Sequence, residues 1–118
     1  DIEDMVREHA TRHNVEVTFF QSNHEGELVT QVQQSAGSYD YVIINAAAYT
    51  HTSIALKDAI TGAGVKAVEI HLSNVHARES YRENSMIAKA CIGCINGFGA
   101  SSYILGLEAC ILHQKSDR

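Results

Sequence analysis

The chain has 118 residues, nine basic and fourteen acidic, giving a net charge of −5 with 45% hydrophobic residues. That length suits one domain, residues 1–118, with a single core, and the absence of any basic block excludes the electrostatic footprint of a nucleic-acid or polybasic membrane binder. No apolar run approaches the roughly 20 residues of a membrane helix, and no signal-peptide pattern opens the chain, so a soluble, cytoplasmic protein is expected.

Asp1 to His13 places Ile2, Met5, Val6, His9 and Ala10 at helical spacing, which predicts an amphipathic helix. Val15 to Gln21 is a β-branched and aromatic run and predicts a strand. Ser22 to Gly26 then offers cap residues for a helix through about Gln34. Tyr41 to Asn45 is a short apolar strand ending in a polar residue, followed by a loop and a helix around Ser53 to Thr61, with Thr52 or Ser53 as its N-cap. Val65 to His71 is the next strand. Lys89 to Ile95 is a further one, Asn96-Gly97-Phe98-Gly99 a turn, and Ala100 to Lys115 a closing helix with Tyr103, Leu107, Cys110 and Ile111 on one side. Four wholly apolar strands alternating with helices predict an α/β fold, a doubly wound parallel sheet covered on both faces.

Cys91, Cys94 and Cys110 are an odd number set within apolar segments, and buried free thiols are expected. Cys91-Ile-Gly-Cys94 has the spacing of a redox or zinc half-site, but residues three apart on a strand point to opposite faces. Seven histidines are many for this length, and only His51, His71 and His76 fall in polar clusters beside strand ends.

The densest chemistry runs from Glu69 to Glu79, Glu-Ile-His-Leu-Ser-Asn-Val-His-Ala-Arg-Glu, released directly from an apolar strand. In an open α/β sheet ligands bind beyond the carboxyl ends of the strands, so this is the expected active site. Glu69 and His71 are two apart and share a face, so the carboxylate can hold the imidazole in one tautomer, an arrangement suited to a general acid. The bland alternative is that the two merely satisfy each other at a strand end. Asn45 ends the neighbouring strand and converges on the same edge. Tyr49-Thr50-His51-Thr52-Ser53 enters a helix, and a helix N-terminus beside a His attracts anions such as a substrate carboxylate. Arg82 is placed for a bidentate carboxylate contact, although a lone Arg is commonly a solvated surface residue. Asp58 alone is unremarkable. Gly97-Phe98-Gly99 matches neither a P-loop nor the dinucleotide fingerprint.

Three segments together resemble the type II 3-dehydroquinate dehydratases: Gln21 to Leu28, Tyr49 to Ser53 with Ala55 to Ala59, and Glu69 to Glu79, in that family's order and spacing and across essentially the whole chain. The resemblance implies a flavodoxin-like, three-layer α/β/α fold and a lyase that dehydrates 3-dehydroquinate to 3-dehydroshikimate by anti elimination through an enolate. It implies no cofactor, metal or Schiff base. It gives His71 the role of general acid toward the departing hydroxyl, with Glu69 orienting it, and Asn45 the role of stabilising the enolate and binding substrate. His51, Arg82, Leu72 and Ser73 match substrate-binding positions, and Asp58 one that reaches a neighbouring subunit's site. A homo-oligomer, a dodecamer built of trimers, is implied, serving aromatic biosynthesis or quinate breakdown.

Departures from the family pattern also stand in the sequence. Members carry a strand and a glycine- and proline-containing loop, with a Tyr base and its activating Arg, ahead of the region matched here. None of Tyr39, Tyr41, Tyr49, Tyr81 or Tyr103 is in an equivalent place, so the expectation is a fragment of a longer chain lacking a central strand. Ala46-Ala47 replaces a usual Pro-Gly or Ala-Gly; if position 47 has positive φ, Ala47 costs about 1–2 kcal/mol. Met86 and Ser102 replace a usual Tyr and Gly. Two other readings compete: a catalytically silent homologue serving as a binding or scaffold subunit, and a metal-dependent hydrolase using His51, His71 and His76.

Overall fold

Three parallel strands carry the architecture. β1 (Val42–Ile44) pairs with β2 (Ala67–His71), and β2 with β3 (Gly93–Asn96), in the order β1-β2-β3; the structure, a computed structural model, describes residues 1–116. All five residues of β2 are buried, as a central parallel strand requires. Its side chains alternate between two cores. Ala67 joins Val32 of α2 (Glu25–Ser35) and Leu56, Ala59 and Ile60 of α4 (Ile54–Ala63) on one face, while Val68 and Ile70 join Cys110 of α5 (Ser101–Ser116) on the other. Helix α1 (Ile2–Arg12) packs on α5 through Val6, Ala10 and Leu107. Helices thus cover both faces of the sheet, as the apolar strands predicted, and none of the described helices is long and apolar enough to cross a membrane.

The helix ends follow from local chemistry. The Ser53 hydroxyl accepts from the Leu56 amide at 2.9 Å and caps α4, and Gly64, with φ 68°, ends it in the left-handed region. Helix α2 begins at His24 without a side-chain cap; Ser22 instead donates to Glu27 and accepts from the His24 amide. Gly106 lets α5 lie against the sheet, because a Cβ there would stand 3.2 Å from methyl carbons of both Ile43 and Ile70.

The structure corrects several expectations. Val15 to Gln21 is not a strand, so the described sheet has three strands rather than four. The segment keeps a strand's burial rhythm, with Val15, Val17 and Phe19 half-buried against the α1–α5 core and Glu16, Thr18 and Phe20 exposed. No described strand offers it a backbone ladder, and alternation alone does not make a strand. The last strand begins at Gly93 because Ala88–Ala90 forms a 3₁₀ turn, which leaves Cys91 outside it. The thiols are free but not uniformly buried: Cys110 is, Cys91 is partly so, and Cys94 is exposed. Met5, assigned to the apolar face of α1, is also exposed.

Candidate active site

The parallel β2 strand delivers Glu69 and His71 to one face at its carboxyl end, as their two-residue spacing demands. Glu69 is fully buried and His71 nearly so, and the His71 Nε2 lies 2.6 Å from Glu69 Oε2. The other carboxylate oxygen, Oε1, is buried with no hydrogen-bond partner among the described residues. A carboxyl held so far from water is retained only by strong local partners, and here the imidazole is that partner. The neighbouring thiols feel it: burial first, and then the charge of Glu69, push Cys91 up to about 12 and Cys94 up to about 11. With Nε2 engaged, His71 presents Nδ1 as the nitrogen without a hydrogen-bond partner among the described residues, and the ring lines a cleft.

Asn45 follows β1 and lines the same cleft. Its carboxamide is fixed at both ends: Nδ2 donates to the Tyr103 hydroxyl at 3.3 Å, and Oδ1 accepts from the Ala47 amide at 3.2 Å. The turn that allows the second bond holds Ala47 at φ 51°, so the position does carry the positive φ considered from sequence, with an alanine in it. Tyr103 was legible only as one side of the closing helix; its hold on Asn45 spans 58 residues and has no local signal.

His51 enters from the short helix α3 (Tyr49–Thr52), its Nδ1 2.8 Å from the Asn84 carbonyl and its ring stacked on His71 at 6.2 Å between centroids. Leu72, Ser73 and Arg82 also line the cleft. Arg82 Nε donates to Glu79 at 2.6 Å, which holds the Glu79 carboxyl below its usual range and the guanidinium above its own. Arg78, read from sequence only as part of a polar cluster, lines the cleft as well and donates to the Ser73 hydroxyl at 3.3 Å. Two cations, two imidazoles and a carboxamide therefore surround a space of about 220 Å³, suited to a small polar anion. A larger hollow of about 520 Å³ lies between Phe20–His24 and α2, but none of its lining residues is buried and it gathers no comparable group of donors.

Two candidates are not brought together with the rest. Asp58 is exposed on α4 and is not a lining residue of this cleft. His76 is exposed and faces Glu83, 3.6 Å from Nδ1, so His51, His71 and His76 form no common ligand set. The Asn74 side chain accepts from the His76 amide at 3.0 Å and caps the 3₁₀ turn Val75–Ala77 that carries His76.

Comparison with known proteins places these features in context. The model of the family described as Dehydroquinase class II matches residues 1–111. A protein named 3-dehydroquinate dehydratase from Azorhizobium caulinodans is 54% identical over 109 residues, covering 92% of this chain and 74% of the relative. One of the same name from Acaryochloris marina is 54% identical over 97 residues, covering 82% and 65%. Among solved structures, a type II dehydroquinase from Butyrivibrio crossotus superposes with a TM-score of 0.90 at 36% identity, covering 93% of this chain and 77% of that one. The chain thus spans about two thirds to three quarters of these relatives' own length.

Proposed function

Because the chain belongs to the class II dehydroquinase family and shares its flavodoxin-like α/β fold, we propose that its site takes part in dehydrating 3-dehydroquinate to 3-dehydroshikimate. The observation that carries the reading is the buried Glu69–His71 pair at the mouth of a cleft lined by Asn45, His51, Arg78 and Arg82. In the reaction a base removes the proton α to the substrate ketone, the electron pair moves onto oxygen as an enolate, and collapse of the enolate expels the β-hydroxyl. The hydroxyl leaves as water if an acid protonates it. His71, with Nε2–H donated to Glu69, has Nδ1 directed to that task when protonated, and Glu69 fixes the ring and balances its charge. The Asn45 carboxamide, held by Tyr103 and Ala47, is the group we assign to the enolate. His51, Arg82 and the Leu72–Ser73 segment are assigned to the substrate, its carboxylate lying toward the latter. The α-proton base is a Tyr activated by an Arg in the family pattern, ahead of the region matched here; no tyrosine of this chain is assigned to it.

We extend the proposal to assembly. The exposed Asp58, outside its own cleft, suits a residue that completes a neighbour's site in a homo-oligomer of trimers. The test is the absorbance of the conjugated enone product on mixing protein with 3-dehydroquinate, beside calorimetric binding of the same compound. Turnover that vanishes in His71→Ala while binding persists supports the lyase. Binding without turnover in the unaltered protein favours the silent homologue, and failure of a folded protein to bind at all overturns the substrate assignment.

A further inference from the structure

Away from the cleft, on the outer side of the α1–α5 pair, three side chains converge. His9 and His13 lie four apart on α1 and at its C-cap, so they share one face, and their rings stand 4.6 Å apart between centroids. Both turn the same atom toward one carboxylate oxygen of α5: His9 Nε2 is 2.6 Å from Glu108 Oε1, and His13 Nε2 is 3.3 Å from it. Satisfying Glu108 needs only one of these imidazoles, yet the second is aimed at the same point.

From this convergence we propose that His9, His13 and Glu108 form a binding site for a zinc-type divalent cation, distinct from the cleft and bridging α1 to α5. The donor set, two imidazole nitrogens and a carboxylate with a fourth position for water, is one that borderline ions favour. Two histidines at i and i+4 are the helical spacing that presents both to one ion. The geometry is close to what an ion needs. All three donor atoms lie within 4.8 Å of one another, and ligands about 2.1 Å from a tetrahedral zinc stand about 3.4 Å apart. The His13–Glu108 separation of 3.3 Å already matches that, and the His9–Glu108 contact must open by less than about 1 Å once the ion takes the place of its shared proton. The side chains keep 19%, 41% and 34% of their surface for His9, His13 and Glu108, which gives an ion a path from solvent and leaves room for the fourth ligand. Ala10 follows His9 where a metalloprotease helix carries its general base, so the site is fitted for fastening rather than hydrolysis. Because the bound ion would hold only the folded arrangement of two helices, it stabilises the fold by mass action.

One other group of described residues, Glu69, His71 and Cys94, also brings three donor atoms within that distance, and the test must separate the two. Zinc affinity is measured by competition with a chelating dye on the metal-free chain, unaltered and as His9→Gln/His13→Gln and Cys94→Ser, with circular dichroism to establish that each is folded. The expected result is one ion per chain, weakened about 100-fold or more in the double histidine variant and unchanged in Cys94→Ser. Glu108→Gln, which keeps the shape of the side chain, should weaken binding in the same direction. Cobalt substituted for zinc should show the visible bands of a nitrogen- and oxygen-ligated ion without thiolate charge transfer. Zinc should also raise the thermal midpoint of the unaltered chain but not that of the double variant. No binding by the unaltered chain, retention of the ion by the folded double variant, or its loss in Cys94→Ser overturns the proposal.

Discussion

Replacing Ala47 by glycine should stabilise this protein, and the size of the gain follows from one dihedral angle. A Cβ at positive φ crowds the following carbonyl, at about 1–2 kcal/mol, and Ala47 sits at φ 51°. Glycine removes that clash and gives back roughly 0.5–1 kcal/mol through the greater freedom of its unfolded chain. The Ala47 side chain is exposed, so no packing is lost with its methyl group, and the amide that donates to Asn45 is unchanged. The balance is a gain of about 0.5–1 kcal/mol, or a thermal midpoint higher by about 2–5 °C for a chain of this size. Urea unfolding should show a higher midpoint with the same slope. Gly64→Ala supplies the opposite experiment, since Gly64 has φ 68° and open space where its Cβ would stand; it should lose a similar amount. A lower midpoint for Ala47→Gly at unchanged slope would refute the claim that this turn is strained.

Other outcomes follow from the packing and the site. Gly106→Val drives branched carbons into Ile43 and Ile70, already 3.2 Å from a single added Cβ, and should lower stability by about 1–3 kcal/mol in denaturant titration. Tyr103→Phe removes an acceptor from the Asn45 carboxamide; a loss in kcat of up to about tenfold with KM little changed would mark a positioning residue, while stability should fall by no more than about 1.5 kcal/mol. Cys91 and Cys110 should resist alkylation by iodoacetamide at pH 8 in the native chain and react fully in urea, because burial pushes Cys91 up to about 12 and Cys110 up to about 11, whereas Cys94, exposed although raised to about 11, should be the first of the three to react. The sign of the linked stability is fixed as well. Above the ordinary thiol value of 9.0 the unfolded chain loses these protons first, so stability should be level below it and fall as pH rises toward 11 to 12.

What could be read from the sequence was whatever depends on near neighbours. Glu69 and His71 were placed on one face because a strand repeats every two residues, and the cap was narrowed to Thr52 or Ser53 because they precede an apolar helix, the structure giving it to Ser53. The parallel sheet was legible in strands that are apolar on both faces. The remainder depends on contacts that no window of sequence contains. Val15 to Gln21 has the composition and alternation of a strand, but pairing is decided by whether another backbone lies alongside it. Tyr103 reaches Asn45 across 58 residues, and His9 reaches Glu108 across 99, so neither partner carries a mark of the other. Arg78 and Arg82 are both arginines of one polar cluster, and only the turns between them decide that both face the cleft.

The segment after α1 shows that the two halves of strand formation are separable. Val17 and Phe19 pack through their side chains, and Val15 adds an amide bond to the Ala10 carbonyl at 2.9 Å, so the segment can lift from the core without rupturing the sheet's own hydrogen bonds. It should therefore behave as a local opening unit, whose amides exchange with solvent long before those of β2 and whose detachment leaves the Glu69–His71 end of the sheet intact. Proteolytic nicking near Phe20, rather than within the strands, would be the first step by which this fold comes apart.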